Sequence, residues 1–462
     1  MIALLTITLG LMAFGVLALM AGQYLTGRHD LLSIRNHFLL GFVIFQLTSA
    51  MFPLVTGNYG HYPLSNPVGT GVQFVLWAAI FLVVMFWAYR KGFGVRRLAS
   101  WTPAPRVAVG SVGILLVAFV LTALAIPMRL AVNIPLVSSL SNYMGVGVAA
   151  MACGLLGWVW GPRLLNPVML FPAVPILLVN AANVATGTFG RRALVAIGGG
   201  LLWGMYYSRW RYLRPWGVTW RLSVVAIVPA IAVVLFTSAR ASSEHDRTAM
   251  EHLRAIQTSG DFGAGLRMIL DGQATANTSM WLMERFPEAF EYNHMFMLQY
   301  FFYYPVPRSV WTEKPTPLSG QIATLSGRSN VDRDKLTIGP GILGHAAADG
   351  GWYALFVYAI AMGLLLRYLD EIVALHPTSA LAVMPIGCAL GQTLGLARGE
   401  TSAFAFIMMF SIASVYVLSL MVAACLRMLG LAGAGEGSLG WPEEDADAEY
   451  GAAEEYALAP DA

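Results

Sequence analysis

Charged residues are scarce in this chain of 462 residues. Asp, Glu, Lys and Arg make up 11% of the sequence and hydrophobic residues make up 57%, whereas soluble domains carry roughly 25% charged residues. So few charges cannot cover the water-exposed surface of a chain this long. The composition therefore excludes an ordinary soluble protein and predicts an integral membrane protein.

Other signals are missing as well. The three cysteines, Cys153, Cys388 and Cys425, lie in apolar runs, so no disulfide framework is expected in the polar segments. There is no basic tract suited to nucleic acid and no GxxxxGK[ST] phosphate loop. The first 25 residues have no basic n-region and no cleavage site, so they predict an uncleaved first helix. We expect no nucleic-acid partner and no cofactor.

Apolar runs of membrane length, about 17 to 25 residues, are abundant. They predict an all-α polytopic membrane protein of about eleven transmembrane helices, at 2–25, 36–56, 71–89, 107–127, 142–160, 166–187, 193–208, 222–239, 346–366, 377–397 and 402–426. The run at 193–208 is the shortest and contains three successive glycines. The predicted domains are an N-terminal bundle of about eight helices, a partly helical polar loop, about three C-terminal helices and a disordered acidic tail, at 1–239, 240–345, 346–427 and 428–462.

The positive charges predict an orientation, because Lys and Arg are enriched in cytoplasmic loops. If the C-terminus is cytoplasmic, most arginines of the short loops fall on the cytoplasmic side, and the N-terminus and the long loop lie outside. Arg191 and Arg192 run against this bias. Such a pair at an outer helix end indicates either a bound anion or an interfacial pair whose charged ends reach the headgroups.

The long loop contains a stiff segment that ends in a cation. Pro305 and Pro307 fix their own dihedral angles and favour extended neighbours, so Arg308 follows a rigid stretch. A guanidinium held in this way can bind a phosphate with two hydrogen bonds, and Lys314 adds a second positive charge. The alternative is that the prolines only shape the loop and Arg308 pairs with Glu313.

Aromatic side chains surround this segment. Trp311 and Tyr304 offer flat faces on which a sugar ring could stack, or against which the protein could pack. The aromatic run at 295–304 is too short to cross a membrane, so it is expected to pack on the helix bundle or to lie in the interfacial belt.

Two residues near the end of the loop are candidates for proton transfer. His345 is a candidate general base because the ordinary pKa of histidine suits proton removal near neutrality, although a single histidine at a membrane boundary can also be purely structural. Asp349 could orient His345 or act as the base itself. Arg398 and Glu400 are expected to return a pair of opposite charges to the outer surface.

Two charged clusters contain residue types that could bind a metal. Asp332 and Asp334 form a D-x-D triplet, but Arg333 and Lys335 would neutralise it, which favours a charged turn. The Glu-His pairs at 244–245 and 251–252 lack the HExxH spacing, which favours a solvated helix face. The sequence therefore predicts no metal site.

Taken together, these features resemble the O-antigen polymerase (Wzy-type oligosaccharide repeat-unit polymerase) family and, more distantly, the O-antigen ligases. The resemblance rests on the helix layout with one long late loop and on short motifs covering a small part of the chain. These motifs are Pro305-x-Pro307-Arg308-x-x-Trp311-x-x-Lys314-Pro315, Gly341-x-x-Gly344 followed by Asp349-Gly350-Gly351, and Arg191-Arg192.

The resemblance implies a C-type membrane glycosyltransferase in the bacterial inner membrane, with its loop in the periplasm and its C-terminus in the cytoplasm. Such enzymes polymerise undecaprenyl-pyrophosphate-linked oligosaccharide units, both donor and acceptor, into O-antigen or exopolysaccharide without a metal, and their partners can include a chain-length regulator and a flippase. By similarity, the pyrophosphate would be held by a set of cationic residues: Arg308, Lys314, Arg191, Arg192, Arg240 and Arg398. Many family members carry a carboxylate or another polar residue where this chain has His345, so the identity of the base stays open.

Two other functions remain open at this point. An O-antigen ligase, or another transferase acting once on a lipid-linked glycan, would use the same chemistry. A transporter or flippase would typically show internal repeats and broken helices near the membrane centre. The sequence shows no convincing repeat and no charged residue midway along the predicted helices.

Overall fold

The computed structural model describes residues 1–105, 107–130, 138–185, 191–241, 261–270, 275–327 and 338–431. Within these residues the secondary structure is helical, without a β-strand. The prediction of an all-α protein is therefore confirmed for the described part of the chain. Residues 432–462 of the predicted acidic tail, both charged clusters and much of the predicted loop lie outside the described residues.

The helices follow one another through most of the described chain. The first half contains α1 (Ile2–Leu25), α2 (Ile34–Phe42), a π-helical segment (Val43–Thr48), α3 (Ser49–Thr56), α4 (Pro67–Lys91), α5 (Val95–Ser100), α6 (Ser111–Leu130), α7 (Ser138–Trp160), α8 (Leu170–Ala185), α9 (Arg191–Ser208) and α10 (Pro215–Ala241). The second half contains α11 (Phe262–Leu270), α12 (Thr275–Arg285), α13 (Phe296–Tyr303), α14 (Leu318–Leu325), α15 (Gly341–Asp349), α16 (Trp352–Leu375), α17 (Ala380–Gly387), α18 (Leu390–Leu396) and α19 (Thr401–Met428).

Eight helical stretches among the described residues are long and apolar enough to cross a membrane. They are Ile2–Leu25, Ile34–Thr56, Pro67–Lys91, Ser111–Met128, Tyr143–Arg163, Pro215–Leu235, Trp352–Leu375 and Thr401–Met428. Two further apolar helices, Pro167–Asn183 and Ala380–Leu396, are shorter. The run predicted at 193–208 is helical as α9, but it belongs to neither group. The chain has the structure of a polytopic helical membrane protein, and the count of eleven spans stays a prediction.

One predicted span begins later than expected. The run at 346–366 is divided, because α15 ends at Asp349 and α16 begins at Trp352. Gly351 between them has a φ of +63°, a conformation that residues with a Cβ rarely adopt. The boundary predicted between loop and membrane at 345/346 therefore falls inside α15, a short helix that precedes the span.

The inner helices approach one another through small residues, as is common between membrane helices. A Cβ atom on Gly204 of α9 would overlap the carbonyl oxygen of Gly154 in α7. On its other side, α9 runs antiparallel to α17 and α18: Trp203 donates to the carbonyl of Val383 at 3.2 Å, and Gly199 lies against Leu390. This register brings the start of α9 to the level at which α18 ends.

The bundle has two ends with different contents. We call the loop end the one at which α10 ends, α16 and α19 begin, and α11 to α15 lie. At the opposite end, the far end, the carboxylate of Asp370 accepts the backbone N–H groups of Ile34 and Arg35 at 2.7 and 3.3 Å and the hydroxyl of Tyr89 at 2.8 Å. Asp370 thus caps α2 and fixes it to α4 and α16. The chemically interesting residues gather at the loop end.

Candidate functional site

A buried acid–base pair lies at the loop end. His345 in α15 is fully buried, and its Nε2 atom lies 3.1 Å from Oε1 of Glu400, the residue that precedes α19. The Glu400 carboxylate also accepts the backbone N–H of Ser319 at 2.8 Å and the hydroxyl of Ser402 at 2.9 Å. The pair therefore joins α14, α15 and α19.

A glycine makes this meeting possible. Gly341 has a φ of +64°, and a Cβ there would lie 2.5 Å from the carbonyl oxygen of Ala397 and would overlap the amide of Gln46. Its N–H donates to the carbonyl of Gly399 at 3.2 Å. Because the backbone at 341 rests on the segment that precedes α19, the next turn of α15 carries His345 to Glu400. Gly341 thus allows close packing between parts of the protein.

Each member of the pair favours the ionised form of the other. Burial alone lowers the pKa of His345, but the charge and hydrogen bond of Glu400, together with the charge of Asp349, raise it above its ordinary value. Burial alone raises the pKa of Glu400, but the charge and hydrogen bond of His345 and the donors Ser319 and Ser402 bring it below its ordinary value. The other ring nitrogen of His345, Nδ1, is buried without a hydrogen-bond partner among the described residues.

Asp349 lies one turn after His345 and connects elements of the loop. Its Oδ2 atom accepts the backbone N–H of Met297 at 2.8 Å and the hydroxyl of Tyr358 at 2.5 Å, and its backbone carbonyl accepts the N–H of Met295 at 3.1 Å. Burial raises the pKa of Asp349 despite the opposing effects of His345 and of these hydrogen bonds. Asp349 therefore ties the start of α13 to α15 and α16.

Lys314 braces the proline-containing segment. Its Nζ atom donates to the carbonyls of Tyr304 and Val306, both at 2.9 Å, and lies 5.3 Å from the centre of the Tyr300 ring. Burial, and then the positive charge of Arg308, lower the pKa of Lys314. Lys314 thus holds the turn closed, with only part of its hydrogen-bonding capacity free for a ligand.

Arg308 follows the two prolines at the surface of the protein. Its side chain is exposed, and Nη1 donates to the carbonyl of Lys314 at 3.3 Å. Burial and then the negative charge of Glu400 raise the pKa of Tyr300 to about 12, whereas the positive charge of Arg308 opposes this shift. Tyr300 therefore lies within electrostatic reach of both residues, which connects the Arg308 turn to the buried pair.

The aromatic residues pack against the helix bundle, which is one of the two arrangements that the sequence predicts for them. The hydroxyl of Tyr304 lies 2.6 Å from that of Tyr143 in α7, and its ring centre lies 5.6 Å from that of Phe406 in α19. Trp311 is half-buried and meets Tyr303 edge-on, with ring centres 5.2 Å apart. Tyr304 and Trp311 come before and after Arg308 in the chain, and sugar stacking on them stays a prediction.

The other predicted cations are distributed around the loop end. Arg398 is half-buried two residues before Glu400, with its guanidinium 5.4 Å from the centre of the Phe45 ring. Arg191 and Arg192 form the first turn of α9, and Arg240 lies in the last turn of α10. The side chains of these three lie outside what the structure describes, so their convergence on one ligand stays a prediction.

Glu400 is the residue whose role the sequence did not reveal. We expected it at the outer surface with Arg398, but only 8% of it is exposed and it bonds to His345. A carboxylate and a histidine near the ends of apolar runs are candidates for pairing. Their separation of 55 positions gives no local pattern from which the contact can be predicted.

Comparison with known proteins adds no relative to this description. No family model matches the chain, and neither a curated protein nor a solved structure matches it. The interpretation of the site therefore depends on its own geometry and on the motifs of the sequence.

Proposed function

We propose that this protein is a membrane glycosyltransferase that polymerises lipid-linked oligosaccharide repeat units into O-antigen or exopolysaccharide. Donor and acceptor are units linked to undecaprenyl pyrophosphate. The bond between the donor sugar and its pyrophosphate breaks, the acceptor hydroxyl forms the new glycosidic bond, and its proton passes to a base on the protein. The lipid pyrophosphate leaves with the bonding electron pair.

One observation carries the proposal. Three ionisable residues, His345, Asp349 and Glu400, are buried together at one end of an apolar helical bundle. The exposed Arg308 belongs to the same end, because its charge and that of Glu400 both act on the pKa of Tyr300. Burying ionisable groups is costly, so in membrane proteins they commonly mark functional sites. A site that combines a proton acceptor with a nearby cation fits transfer from a phosphorylated donor.

The roles follow from the chemistry of that step. A pyrophosphate is a good leaving group, so the reaction mainly needs positive charge near the departing oxygens and a base near the acceptor hydroxyl. Arg308 supplies an accessible guanidinium, with Arg398, Arg191, Arg192 and Arg240 as further cations of the loop end. His345 or Asp349 supplies the base, and Trp311 supports a sugar ring.

The proposal includes a finer topology than the helix lengths alone establish. It places eleven spans in the bacterial inner membrane, with the N-terminus and the loop end in the periplasm and the C-terminus in the cytoplasm. The distribution of arginines supports this orientation, because the connections at the far end carry most of them. A periplasmic loop end would meet lipid-linked units after a flippase has exposed them.

Complementation of a strain that lacks the gene tests the proposal. The wild-type gene should restore a ladder of polymer on a gel, and Arg308→Ala should restore none at equal protein level. The control is Arg96→Ala, an exposed arginine in α5 at the far end, which should restore the full ladder.

The glycan that accumulates in the strain lacking the gene decides between the reaction classes. Accumulation of single lipid-linked units supports polymerisation. Finished polymer that remains on its lipid carrier would instead identify a ligase, and units confined to the cytoplasmic leaflet would identify a flippase. A normal ladder with Arg308→Ala would remove Arg308 from the site.

A further inference from the structure

Glu400 has no role in the reaction as proposed above, although it is buried, ionisable and bonded to the candidate base. We infer that Glu400 is a positioning residue: it holds the proton of His345 on Nε2, so that Nδ1 is the atom that accepts the proton of the acceptor-sugar hydroxyl. This inference rests on the proposed glycosyl transfer.

The carboxylate is itself held in place. One oxygen accepts the N–H of Ser319 at 2.8 Å, and the other accepts the hydroxyl of Ser402 at 2.9 Å while lying 3.1 Å from Nε2. Glu400 also immediately precedes α19, so its backbone is fixed by the start of a long helix. With both oxygens bonded, the carboxylate cannot turn away from the imidazole without leaving buried donors unpaired.

The bond to Glu400 selects the tautomer of His345. A carboxylate accepts hydrogen bonds and cannot donate them, so its 3.1 Å contact favours a proton on Nε2. The backbone N–H of Thr401 also points to Nε2, at 3.3 Å, but the carboxylate is nearer, and hydrogen bonds to a charged acceptor are roughly twice as strong as neutral ones. In the neutral ring the lone pair is then on Nδ1, which is buried without a hydrogen-bond partner among the described residues. A carboxylate on one nitrogen and an open lone pair on the other is the arrangement by which a histidine acts as a general base.

The surrounding charges favour proton uptake at Nδ1. Glu400, from the segment before α19, and Asp349, from α15 itself, both raise the pKa of His345. Tyr358 of α16 bonds to Asp349, and Tyr300 of α13 lies in the field of Glu400 and of Arg308. Because His345 is fully buried, the acceptor reaches Nδ1 only after an adjoining element of the loop moves aside.

The pH profile of polymerisation distinguishes positioning from a merely structural role. Glu400→Gln should lower kcat on the order of 10²–10⁴-fold and leave the KM for the lipid-linked unit nearly unchanged. It should also move the acidic limb of the pH profile to lower pH, because Gln lacks the charge that raises the pKa of His345. Glu400→Asp, which keeps the charge, should retain the wild-type limb.

A matched control is available in the same molecule. Glu284 accepts the backbone N–H groups of Ser65 and Asn66 at 2.9 and 2.7 Å near the loop end, and Glu284→Gln should leave the pH profile unchanged. Glu400→Gln combined with His345→Ala should be no slower than His345→Ala alone, because Glu400 acts only through His345. A loss of rate with an unmoved limb, or no loss at all, would overturn the inference.

A measurement without turnover separates this inference from the proposed function. In protein labelled with ¹⁵N-histidine, the resonances that disappear with His345→Asn belong to His345. At a pH above its pKa they should report a proton on Nε2 in the wild type and a mixture of tautomers in Glu400→Gln. A proton on Nδ1 in the wild type refutes the inference even if polymerisation is observed; membranes that form no polymer from lipid-linked units refute the proposed function whatever the tautomer.

Discussion

The buried ionisable residues at the loop end differ in how far their contacts offset the cost of burial. In the His345–Glu400 pair, each charge offsets the desolvation cost of the other. Asp349, in contrast, keeps a raised pKa, because burial outweighs its favourable contacts. The three residues therefore respond to pH in different directions.

Because of this pair, the free energy of unfolding should decrease both as the pH rises and as the pH falls. The raised pKa of His345 contributes stability that is fully present below its ordinary pKa of 6.5 and is lost as pH rises through the folded value. The lowered pKa of Glu400 contributes stability that is present above its ordinary pKa of 4.5 and is lost as pH falls through the folded value. We expect the difference in melting temperature between wild type and Glu400→Gln to be largest between these limits.

Thermal unfolding in detergent, measured from about pH 4 to about pH 9, tests this expectation. Removing one partner of a buried pair costs about 3–5 kcal/mol, and Gln at 400 retains some of the hydrogen bonds, so the loss should be at the lower end. A constant difference across the pH range would show that the pair is not ionised in the folded protein.

Lys314 should contribute more to the folded shape of its turn than to binding an anion. Lys314→Met removes both hydrogen bonds to the carbonyls of Tyr304 and Val306, which costs about 1–3 kcal/mol when buried acceptors lose their donor. We expect faster proteolysis between 304 and 314 and a lower melting temperature. Arg308→Ala, which leaves these two bonds intact, should show neither effect.

Among the elements, α13 is held near its start by the side chain of Asp349. Asp349 accepts the N–H of Met297 near the start of α13 and the hydroxyl of Tyr358 in α16. Asp349→Ala should therefore release α13 and increase hydrogen exchange at 295–300. Tyr358→Phe removes only one of the two bonds and should have a much smaller effect. Equal exchange in both variants would show that packing of the aromatic rings alone holds α13.

The contact between α7 and α9 leaves no room for a side chain. Gly204→Val should prevent this packing, because even a Cβ atom overlaps the carbonyl of Gly154; overpacking costs about 1–3 kcal/mol or more. The control is Gly15→Ala in α1, where nothing lies within 4 Å of the added carbon. Size-exclusion profiles in detergent should show aggregation of the first variant and a normal peak for the second.

For the whole molecule, the orientation decides whether the proposed reaction has access to its substrates. Ser309 beside Arg308 and Ser100 at the end of α5 are both exposed and lie at opposite ends of the bundle. In a cysteine-free background, Ser309→Cys should react with a membrane-impermeant maleimide in cells with a permeabilised outer membrane. Ser100→Cys should react only after lysis. The reverse pattern would place the loop end in the cytoplasm and refute the proposed periplasmic reaction.

In the whole molecule, the sequence predicts features that depend on local patterns better than features that depend on long-range contacts. Hydrophobic length predicts helices wherever the apolar runs occur, because a helix satisfies its backbone hydrogen bonds within its own segment. The proline pattern likewise predicts a stiff stretch before Arg308, since proline acts on its immediate neighbours. The sequence does not predict the division of the run at 346–366, because one aspartate and a glycine pair interrupt the hydropathy of a long apolar run only weakly.

Amino-acid order alone made this chain a helical membrane protein, with an aromatic stretch and a stiff arginine turn in its polar part. Tertiary packing alone brought Glu400 to His345, made Lys314 a brace and made Asp349 an anchor for α13. The physical reason is range: hydropathy and backbone preferences act over a few residues, whereas a buried ion pair depends on how α14, α15 and α19 meet in space.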